Sequence, residues 1–293
     1  MHAGEHEISA QSARALIADQ MPDLAGLTLR RVGRSGTDNV LFRLGPALVA
    51  RFPRLPIGEA QIAPLARWLP SLAPALRPLT LPLVGRIGQP DGTYPFSWSV
   101  GTWIAGRDAA GAPLDQISAA ETLAEFARKL QSLPTIAQHP RRGESDRIDL
   151  ILSGLDPYIA GFDSAAERDL LRTAVETAQQ LPQFQGMAVW VHGDLHPLNL
   201  LVRRGKLTAI IDWGSMGLGD PGMDMMVAWT LFDPPARQHF RNRLTPDPRA
   251  WGRGWALALA KSIMAIPYYR QSNPVFHRVM RQTLARVLAD PRA

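Results

Sequence analysis

The residues best suited to carry chemistry in this sequence are two carboxylates and an amide: Asp194, Asn199 and Asp212. Phosphoryl transfer to a hydroxyl group uses such a set in this order. The first carboxylate takes the hydroxyl proton, and the amide and second carboxylate bind Mg²⁺ through oxygen. Mg²⁺ accepts one or two protein oxygens and completes its octahedron with water and phosphate. The set therefore predicts a phosphotransferase without identifying its acceptor.

The segment between Asn199 and Asp212 indicates how residues thirteen positions apart can share one cation. Two apolar, partly β-branched runs, 200–202 and 207–211, flank a polar turn that contains glycine. This pattern predicts a short β-hairpin. The hairpin would return Asp212 to the side of Asn199, and Asp194 would stand at its entrance, facing an acceptor hydroxyl.

Two histidines raise the alternative of a zinc hydrolase, because His192 and His196 lie four residues apart as in His-Glu-x-x-His helices. Gly193 and Pro197 disfavour a helix here, and no Glu follows His192. We expect His192 to be a buried structural histidine that bonds to backbone near the loop. An isolated Asp-Trp-Gly, as at 212–214, is usually only a turn, so the prediction depends on the combination of residues.

The composition is that of an ordinary soluble protein. The chain has 293 residues, 46% apolar and 20% charged, which suits one two-lobed domain or two small ones. The sequence contains no cysteine, which excludes disulfides and cysteine-based metal sites. The first residues lack a signal-peptide pattern, and no apolar run reaches the length of about 18 residues expected of a membrane span. We expect a cytoplasmic protein without a membrane partner.

Arginine supplies most of the positive charge. The net charge is +6, and only three of the 32 basic residues are lysines. Nucleic-acid binding would require a basic stripe with stacking aromatics or a recognisable motif. The sequence has neither, so no nucleic-acid partner is expected. Nothing in the sequence specifies an oligomeric state.

The first hundred residues are predicted to form a strand-rich lobe. Glycine and proline separate short apolar runs there, as in turns between strands. The predicted elements are a helix over 9–20, strands over 27–32, 40–44 and 47–52, a helix over 59–69, and strands near 82–87 and 95–104.

Beyond Gly106 the pattern becomes helical. Capping boxes begin at Ser118 and Ser164, and Asp220-Pro221 predicts a further helix start, with that helix running through Phe232. Apolar residues at helical spacing over 251–287 predict two closing helices.

This organisation predicts an α+β protein-kinase-like two-lobe fold, with a strand-rich N-lobe and a mainly helical C-lobe. Residues 1–104 are expected to form the nucleotide-binding lobe. Residues 105–293 are expected to form the catalytic and acceptor-binding lobe, because the carboxylates and the amide lie there.

A loop of small polar residues between two predicted strands is a candidate phosphate-binding loop. Ser35, Gly36 and Thr37 can offer backbone amides and hydroxyls to phosphates. The alternative is a tight hairpin that binds no ligand.

Arg51 on the third predicted strand is the candidate phosphate-gripping cation, because no lysine precedes Lys129. Arginine keeps the charge and binds phosphate through a fork, but it is longer than lysine and not equivalent to it. Glu59 is the only acidic residue between Arg51 and Asp91. It falls early in its helix, where it can instead favour the helix N-terminus. The sequence leaves open whether a carboxylate pairs with Arg51.

Three motifs resemble those of the aminoglycoside phosphotransferase family. The signature His-Gly-Asp-x-x-x-x-Asn is matched at 192–199, although Leu198 replaces the glycine common in the family. Asp-[Phe/Trp]-Gly is matched at 212–214, and Gly-Asp-Pro-x-x-Asp at 219–224. The resemblance extends from about residue 27 to residue 288.

The resemblance implies a protein-kinase-like fold, ATP or GTP with Mg²⁺, and phosphorylation of a hydroxyl group on a small molecule. It implies that Asp194 is the catalytic base, that Asn199 and Asp212 bind Mg²⁺, and that Asp224 supports the catalytic loop. The residues implied to form the hinge that borders the adenine are Thr102, Trp103 and Ile104.

The charge distribution disfavours a polycationic acceptor such as an aminoglycoside, which favours an acidic pocket. Residues 233–293, expected to form part of the acceptor wall, hold eleven Arg or Lys and three Asp or Glu. Residues 139–190 hold eight acidic and five basic residues, so any acidic patch would lie there. Solvated helix faces are the alternative for both counts. We expect a neutral or anionic acceptor, with two alternatives: an aminoglycoside-like antibiotic, or a nucleotide-binding protein without catalysis.

Overall fold

The structure is a computed structural model that describes residues 5–33, 38–143 and 147–290. The chain divides into two compact units, Met1–Ala105 and Gly106–Ala293. The candidate phosphate-loop residues Ser35, Gly36 and Thr37 lie outside the described residues.

The first unit is built around an antiparallel sheet, as its alternating apolar pattern predicts. Its strands are β1 (Leu29–Arg31), β2 (Asn39–Leu44), β3 (Leu48–Pro53), β4 (Val84–Gly88) and β5 (Trp98–Thr102), in the order β1-β2-β3-β5-β4. Its helices are α1 (Ala10–Gln20), α2 (Pro56–Ala60) and α3 (Ile62–Leu72). The single helix predicted over 59–69 is thus two helices that together begin earlier and end later.

Aromatic side chains hold this sheet together. Phe52 stacks on Trp98 with ring centroids 4.9 Å apart, and the rings of Phe42 and Tyr94 meet it edge-on. All four side chains are buried. Because each buries a large apolar area, they fix β3 firmly between its neighbours β2 and β5. Arg51 therefore projects from a rigid strand.

The second unit combines helices with short strands. The strands are β6 (Arg107–Asp108), β7 (Val189–Val191), β8 (Leu200–Arg203), β9 (Lys206–Ile210) and β10 (Gly217–Gly219). The helices are α4 (Gln116–Gln131), α5 (Ile148–Ser153), α6 (Asp156–Ile159), α7 (Ala165–Gln179), α8 (Gly222–Met225), α9 (Val227–Thr230), α10 (Pro234–Leu244), α11 (Pro248–Tyr269) and α12 (Pro274–Leu288). Among the described residues, none of the helices is long and apolar enough to cross a bilayer.

The predicted helix starts are confirmed in one case and corrected in two. Ser164 caps α7 by accepting a hydrogen bond from Glu167 N at 3.3 Å. Helix α4 begins before the predicted Ser118, because the Asp115 carboxylate accepts from Ser118 N at 3.0 Å and so serves as the N-cap. The helix predicted from Asp220 is divided into α8 and α9.

Helix α11 forms the centre of the second unit and packs against α7, α8 and α12. Most of its residues are buried, including Trp251 and Trp255. Two charged residues interrupt this apolar surface, Arg253 and Lys261. Arg253 is neutralised by a two-point ion pair with Asp220, at 2.5 and 2.9 Å. Lys261 has a different partner, the Asp194 carboxylate.

Candidate functional site

The predicted hairpin is confirmed and brings Asn199 next to Asp212. Strands β8 and β9 pair antiparallel, with Leu200 opposite Ile210. One step further out, Ile211 N donates to Asn199 O at 2.9 Å. Asp212 follows directly, so the amide and the second carboxylate lie at the same open end of the hairpin.

The opposite end of the hairpin closes in a two-residue turn. Arg204 and Gly205 both have positive φ, 51° and 77°, between the paired residues Arg203 and Lys206. Two consecutive left-handed residues match the twist of the strands, and glycine reaches that region without steric cost. The turn sets the pairing of Arg203 with Lys206, and a one-residue shift in register between Leu201 and Val202 then places Ile210 opposite Leu200, so that Asp212 follows beside Asn199.

The Asn199 side chain holds the candidate base. Asn199 is buried, and its Nδ2 donates to Asp194 O at 2.9 Å and to Asp194 Oδ2 at 3.2 Å. Asn199 Nδ2 also lies 3.2 Å from His196 Nε2, and Asn199 Oδ1 makes no hydrogen bond within the described residues. The amide is thus oriented with its oxygen available to a cation.

The Asp212 carboxylate is exposed and is held by a constrained backbone. Asp212 has φ 61° and ψ 65°, a left-handed conformation that non-glycine residues seldom adopt. Buried Trp213 anchors the next position by donating from Nε1 to Ile210 O at 2.9 Å. In the part of the chain that the structure describes, the Asp212 carboxylate makes no hydrogen bond or ion pair. Strain of this kind is often found at ligand sites.

Asp224 fixes the backbone ahead of the base. Its carboxylate is buried and accepts from His192 N at 2.9 Å and from Gly193 N at 2.8 Å. Burial raises the pKa of Asp224 to about 6, while these two hydrogen bonds oppose the shift. Gly193 has φ +80°, and a Cβ there would lie 2.4 Å from Arg142 Nη1 and 2.7 Å from Ser215 O. Only glycine fits this turn without displacing its neighbours.

The two histidines support the loop. His192 Nδ1 accepts from Asp194 N at 3.2 Å, and Nε2 donates to Ile211 O at 3.1 Å. His196 Nδ1 accepts from Leu198 N at 3.3 Å. Burial lowers the pKa of His192 to about 3 and that of His196 to about 4, so both rings are neutral at pH 7. No group of three or more metal-binding His, Asp or Glu side chains occurs among the described residues.

Sequence reasoning missed one residue that contacts the candidate base. The Lys261 ammonium donates to Asp194 Oδ1. Burial and then the charge of Arg142 lower the pKa of Lys261 to about 8, which leaves it mostly protonated at pH 7. The available signal was the isolated lysine in the apolar helical run 255–269, since a buried charge requires a partner.

On the first unit, Arg51 is available to bind an anion. Arg51 is paired through β3 with Leu41 and Ser99 of the neighbouring strands, and its guanidinium makes no hydrogen bond or ion pair with any described residue. Glu59 does not pair with it: Glu59 Oε1 accepts from Ser97 N at 2.7 Å. The sequence left open whether a carboxylate pairs with Arg51, and none does in residues 5–33 and 38–105.

The candidate hinge residues follow the end of β5. Thr102 is the last residue of β5, and Trp103 N donates to Ala47 O at 2.8 Å. The Arg43 guanidinium lies 5.3 Å from the centre of the Trp103 ring. The Ile104 backbone makes no hydrogen bond to the described part of the chain. Ile104 thus retains both a donor and an acceptor for a ligand.

Comparison with known families decides the classification. The model of the phosphotransferase enzyme family (APH) matches residues 28–258. The chain belongs to this family. The resemblance predicted from the motifs is confirmed. Over 72 residues the chain is also 32% identical to "Uncharacterized protein YcbJ" of Bacillus subtilis (strain 168), and the match spans 24% of this chain and 22% of that protein.

Solved phosphotransferase structures share the fold at low sequence identity. The GDP and kanamycin complex of APH(2")-IIIa has a TM-score of 0.75 at 18% identity, covering 95% of this chain and 98% of that one. Spectinomycin phosphotransferase APH(9)-Ia, in complex with ADP and spectinomycin, has a TM-score of 0.69 at 14% identity, covering 98% and 100%. The apoenzyme of macrolide 2'-phosphotransferase MphH from Brachybacterium faecium has a TM-score of 0.60 at 19% identity, covering 94% and 97%. The predicted α+β, protein-kinase-like fold is confirmed.

Proposed function

We propose that this protein transfers the γ-phosphoryl group of ATP or GTP to a hydroxyl group of a small molecule, with Mg²⁺ as cofactor. The observation that carries the proposal is the convergence of Asp194, Asn199 and Asp212 at the open end of the β8–β9 hairpin. Membership of the phosphotransferase family supports the reaction class. GDP and ADP in complexes of similar fold support a nucleotide donor.

Asp194 is proposed as the general base. Its side chain is 23% exposed, so an acceptor hydroxyl can reach it, and Asn199 and Lys261 hold it in one orientation. A general base must lie within hydrogen-bond reach of the proton that it takes. Holding the carboxylate in advance lowers the entropic cost of reaching that geometry.

Asn199 and Asp212 are proposed as the Mg²⁺ ligands. Both offer hard oxygen atoms, which Mg²⁺ prefers, and neither Asn199 Oδ1 nor the Asp212 carboxylate makes a hydrogen bond to the residues described. Bound Mg²⁺ neutralises negative charge on the nucleotide phosphates. His192 and Asp224 are proposed as supports, because the His192 ring binds the backbone of Asp194 and Ile211, and Asp224 binds the backbone of the two residues before Asp194.

The nucleotide-binding role of residues 1–104 is part of the proposal. Arg51 would bind phosphate through its forked guanidinium, since it lacks a carboxylate partner in the described part of that unit. Ile104, with Thr102 and Trp103, would border the base of the nucleotide, and Ser35, Gly36 and Thr37 would cover phosphates. Residues 105–293 would then supply catalysis and acceptor binding.

We propose a neutral or anionic acceptor. A polycationic antibiotic would need unpaired carboxylates, and residues 139–190, with eight acidic residues, are where the sequence predicts any acidic patch. Several of these carboxylates are neutralised by arginine, namely Asp149 by Arg147 at 2.8 Å, Asp163 by Arg270 at 3.2 Å, Glu167 by Arg281 at 2.5 Å and Asp169 by Arg172 at 2.8 Å.

The test is a phosphorylation screen with ATP and with GTP, read by mass spectrometry as the gain of one phosphoryl group. The library contains hydroxy acids, sugars, amino alcohols and aminoglycosides. We expect Mg²⁺-dependent transfer to a neutral or anionic compound by the wild type, and its loss in Asp194→Asn. Transfer to aminoglycosides alone would contradict the acceptor class. No transfer to any compound, together with no nucleotide hydrolysis, would contradict the proposed function.

A nucleotide-binding protein without catalysis is the second candidate. It is favoured by the absence of a carboxylate partner for Arg51 within residues 5–33 and 38–105. Calorimetry separates the two candidates: a non-catalytic binder would bind Mg·ATP without turnover, and its affinity would be unaffected by any acceptor.

A further inference from the structure

Lys261 occupies an unusual position for a charged residue in a central helix. It lies on α11 between buried Ala260 and Ser262, and its side chain retains 26% exposure. Its ammonium group donates to Asp194 Oδ1, and no other described residue accepts a hydrogen bond from it. An ammonium group has three donors. Two of them therefore remain for a ligand next to the proposed base.

Lys261 carries the positive charge next to Asp194, because the titratable groups near it are an acidic partner or neutral histidines. Asp194 on the catalytic loop is its partner, and Arg142 acts on it at longer range. His192, which also senses the lysine charge, is neutral because burial lowers its pKa to about 3. His196 Nε2 lies 3.4 Å from Asp194 Oδ2 but is neutral as well. Lys261 is thus the positive charge in contact with the base among the described residues.

We propose that Lys261 is a further catalytic residue that binds an oxygen of the phosphoryl group during transfer. This inference rests on the proposed function. The acceptor oxygen must hydrogen-bond to Asp194 and attack phosphorus in line, which brings the phosphoryl oxygens close to groups that contact Asp194. Lysine, arginine and metal cations placed at a transferring phosphoryl group stabilise the charge spread over its oxygens.

The step balances without another reactant. The bond between the acceptor oxygen and the γ-phosphorus forms as the bond from that phosphorus to the β–γ bridging oxygen breaks. The acceptor proton passes to Asp194, the nucleoside diphosphate leaves with the bonding electron pair, and Lys261 keeps its proton throughout. Lys261 also keeps Asp194 oriented through Oδ1, so the same side chain contacts the base and the transferred group.

Two other roles compete with this one. In a purely structural role, Lys261 would only fasten α11 to the loop and orient Asp194 by hydrogen bonding, so a neutral donor, as in Lys261→Gln, could replace it without loss of turnover. In acceptor recognition, it would bind an anionic group of the acceptor. The first role predicts wild-type kcat in Lys261→Gln, and the second predicts a raised KM for an anionic acceptor, so kinetics separates all three roles.

The test compares Lys261→Met, Lys261→Gln, Lys261→Arg and the matched control Lys129→Met with the wild type. Lys129 is an exposed lysine on α4 paired with Glu125 at 2.7 Å. Turnover is measured with the acceptor found by screening and with water as acceptor, as ATP hydrolysis. We expect Lys261→Met to lower kcat by roughly 10²–10³-fold, as when one oxyanion donor is removed. The Kd for Mg·ATP should change less than about twofold, and Lys261→Arg should recover part of kcat.

The pH dependence of kcat tests the proposal even if Lys261→Met does not fold, because it is measured on the wild type and Lys261→Arg. Wild-type kcat should fall as pH rises through about 8, where Lys261 loses its proton, and this limb should move to higher pH in Lys261→Arg. An unchanged kcat in Lys261→Met would overturn the proposal, as would a limb unaffected by Lys261→Arg. A rise confined to the KM of an anionic acceptor would assign Lys261 to acceptor recognition instead. A wild type without transfer or hydrolysis would contradict the proposed function itself.

Discussion

The candidate catalytic loop of the second unit, residues 192–199, and the Arg51 region of the first unit differ in how far their polar groups are already engaged. Asp194 is held by Asn199 and Lys261, and Asp224 fixes the backbone before it. Arg51 has no carboxylate partner among the described residues of its unit. The fold alone therefore orients the proposed base Asp194, whereas Arg51 would gain its partner only when a phosphate binds.

This contrast predicts which property a substitution in each region will change. Arginine in place of lysine on β3 changes the reach of a cation that contacts only ligand. In the candidate catalytic loop the polar side chains are hydrogen-bonded to one another, so a substitution there disturbs several contacts at once. We expect variants of the loop to affect turnover and variants of Arg51 to affect nucleotide affinity.

The largest effect is expected from Asp194→Asn. Loss of the proposed base should lower turnover roughly 10²–10⁴-fold, the range for general-base catalysis, with little change in the Kd for Mg·nucleotide. Turnover and calorimetric binding would be measured in parallel. The matched control is Asp169→Asn on α7, whose carboxylate is largely exposed and paired with Arg172. Full activity in Asp194→Asn would show that Asp194 is not the general base.

Asp212→Asn should raise the Mg²⁺ concentration that gives half-maximal activity by about 10²-fold or more, because even an indirect partner at a metal site contributes 10–100-fold. Asparagine also tolerates the left-handed backbone of Asp212, so the substitution changes a ligand and not the turn. Activity would be titrated with Mg²⁺ at saturating nucleotide. An unaltered Mg²⁺ requirement would exclude Asp212 as a ligand.

Arg51→Met should raise the KM for nucleotide by roughly 10–10²-fold, equivalent to losing a charge-assisted hydrogen bond of about 1.5–3 kcal/mol. Its kcat should change much less than in Asp194→Asn. Arg51→Lys should restore part of the affinity, and Arg30→Met on β1 is the matched surface control. A fall in kcat without a change in KM would show that Arg51 acts in turnover and not in nucleotide binding.

The smallest effect concerns acid stability. His192 and His196 have folded-state pKa values lowered to about 3 and about 4, so the unfolded chain binds more protons below pH 6.5. The free energy of unfolding should therefore fall as pH decreases from about 6.5 towards 4. Asp224, with its pKa raised to about 6, opposes this trend between about pH 6 and 4. The net slope should be at most about 1.4 kcal/mol per pH unit.

Urea unfolding at several pH values measures this slope, and His196→Asn provides the control. Asparagine can still accept from Leu198 N but does not titrate, so the slope should decrease. A variant with the wild-type slope would show that His196 is not neutral in the folded protein.

Local signals in the sequence predicted the β8–β9 hairpin, because its turn and its two apolar runs are neighbours in sequence, but not the shift in register between Leu201 and Val202. The Ser164 cap was predictable for the same reason. Asp115 was missed as the α4 cap because Ser118 also matches a capping pattern. The Asp194–Lys261 pair and the bond from Ser97 N to Glu59 join residues 67 and 38 positions apart, so no local pattern indicates them.

The most direct test of the central claim is a crystal structure with Mn²⁺ and a non-hydrolysable ATP analogue, with the metal located by its anomalous signal. We predict a peak within about 2.5 Å of both Asn199 Oδ1 and the Asp212 carboxylate, with the Asp194 carboxylate free of direct metal contact. A nucleotide-bound metal that touches neither side chain would contradict the assignment of the catalytic loop.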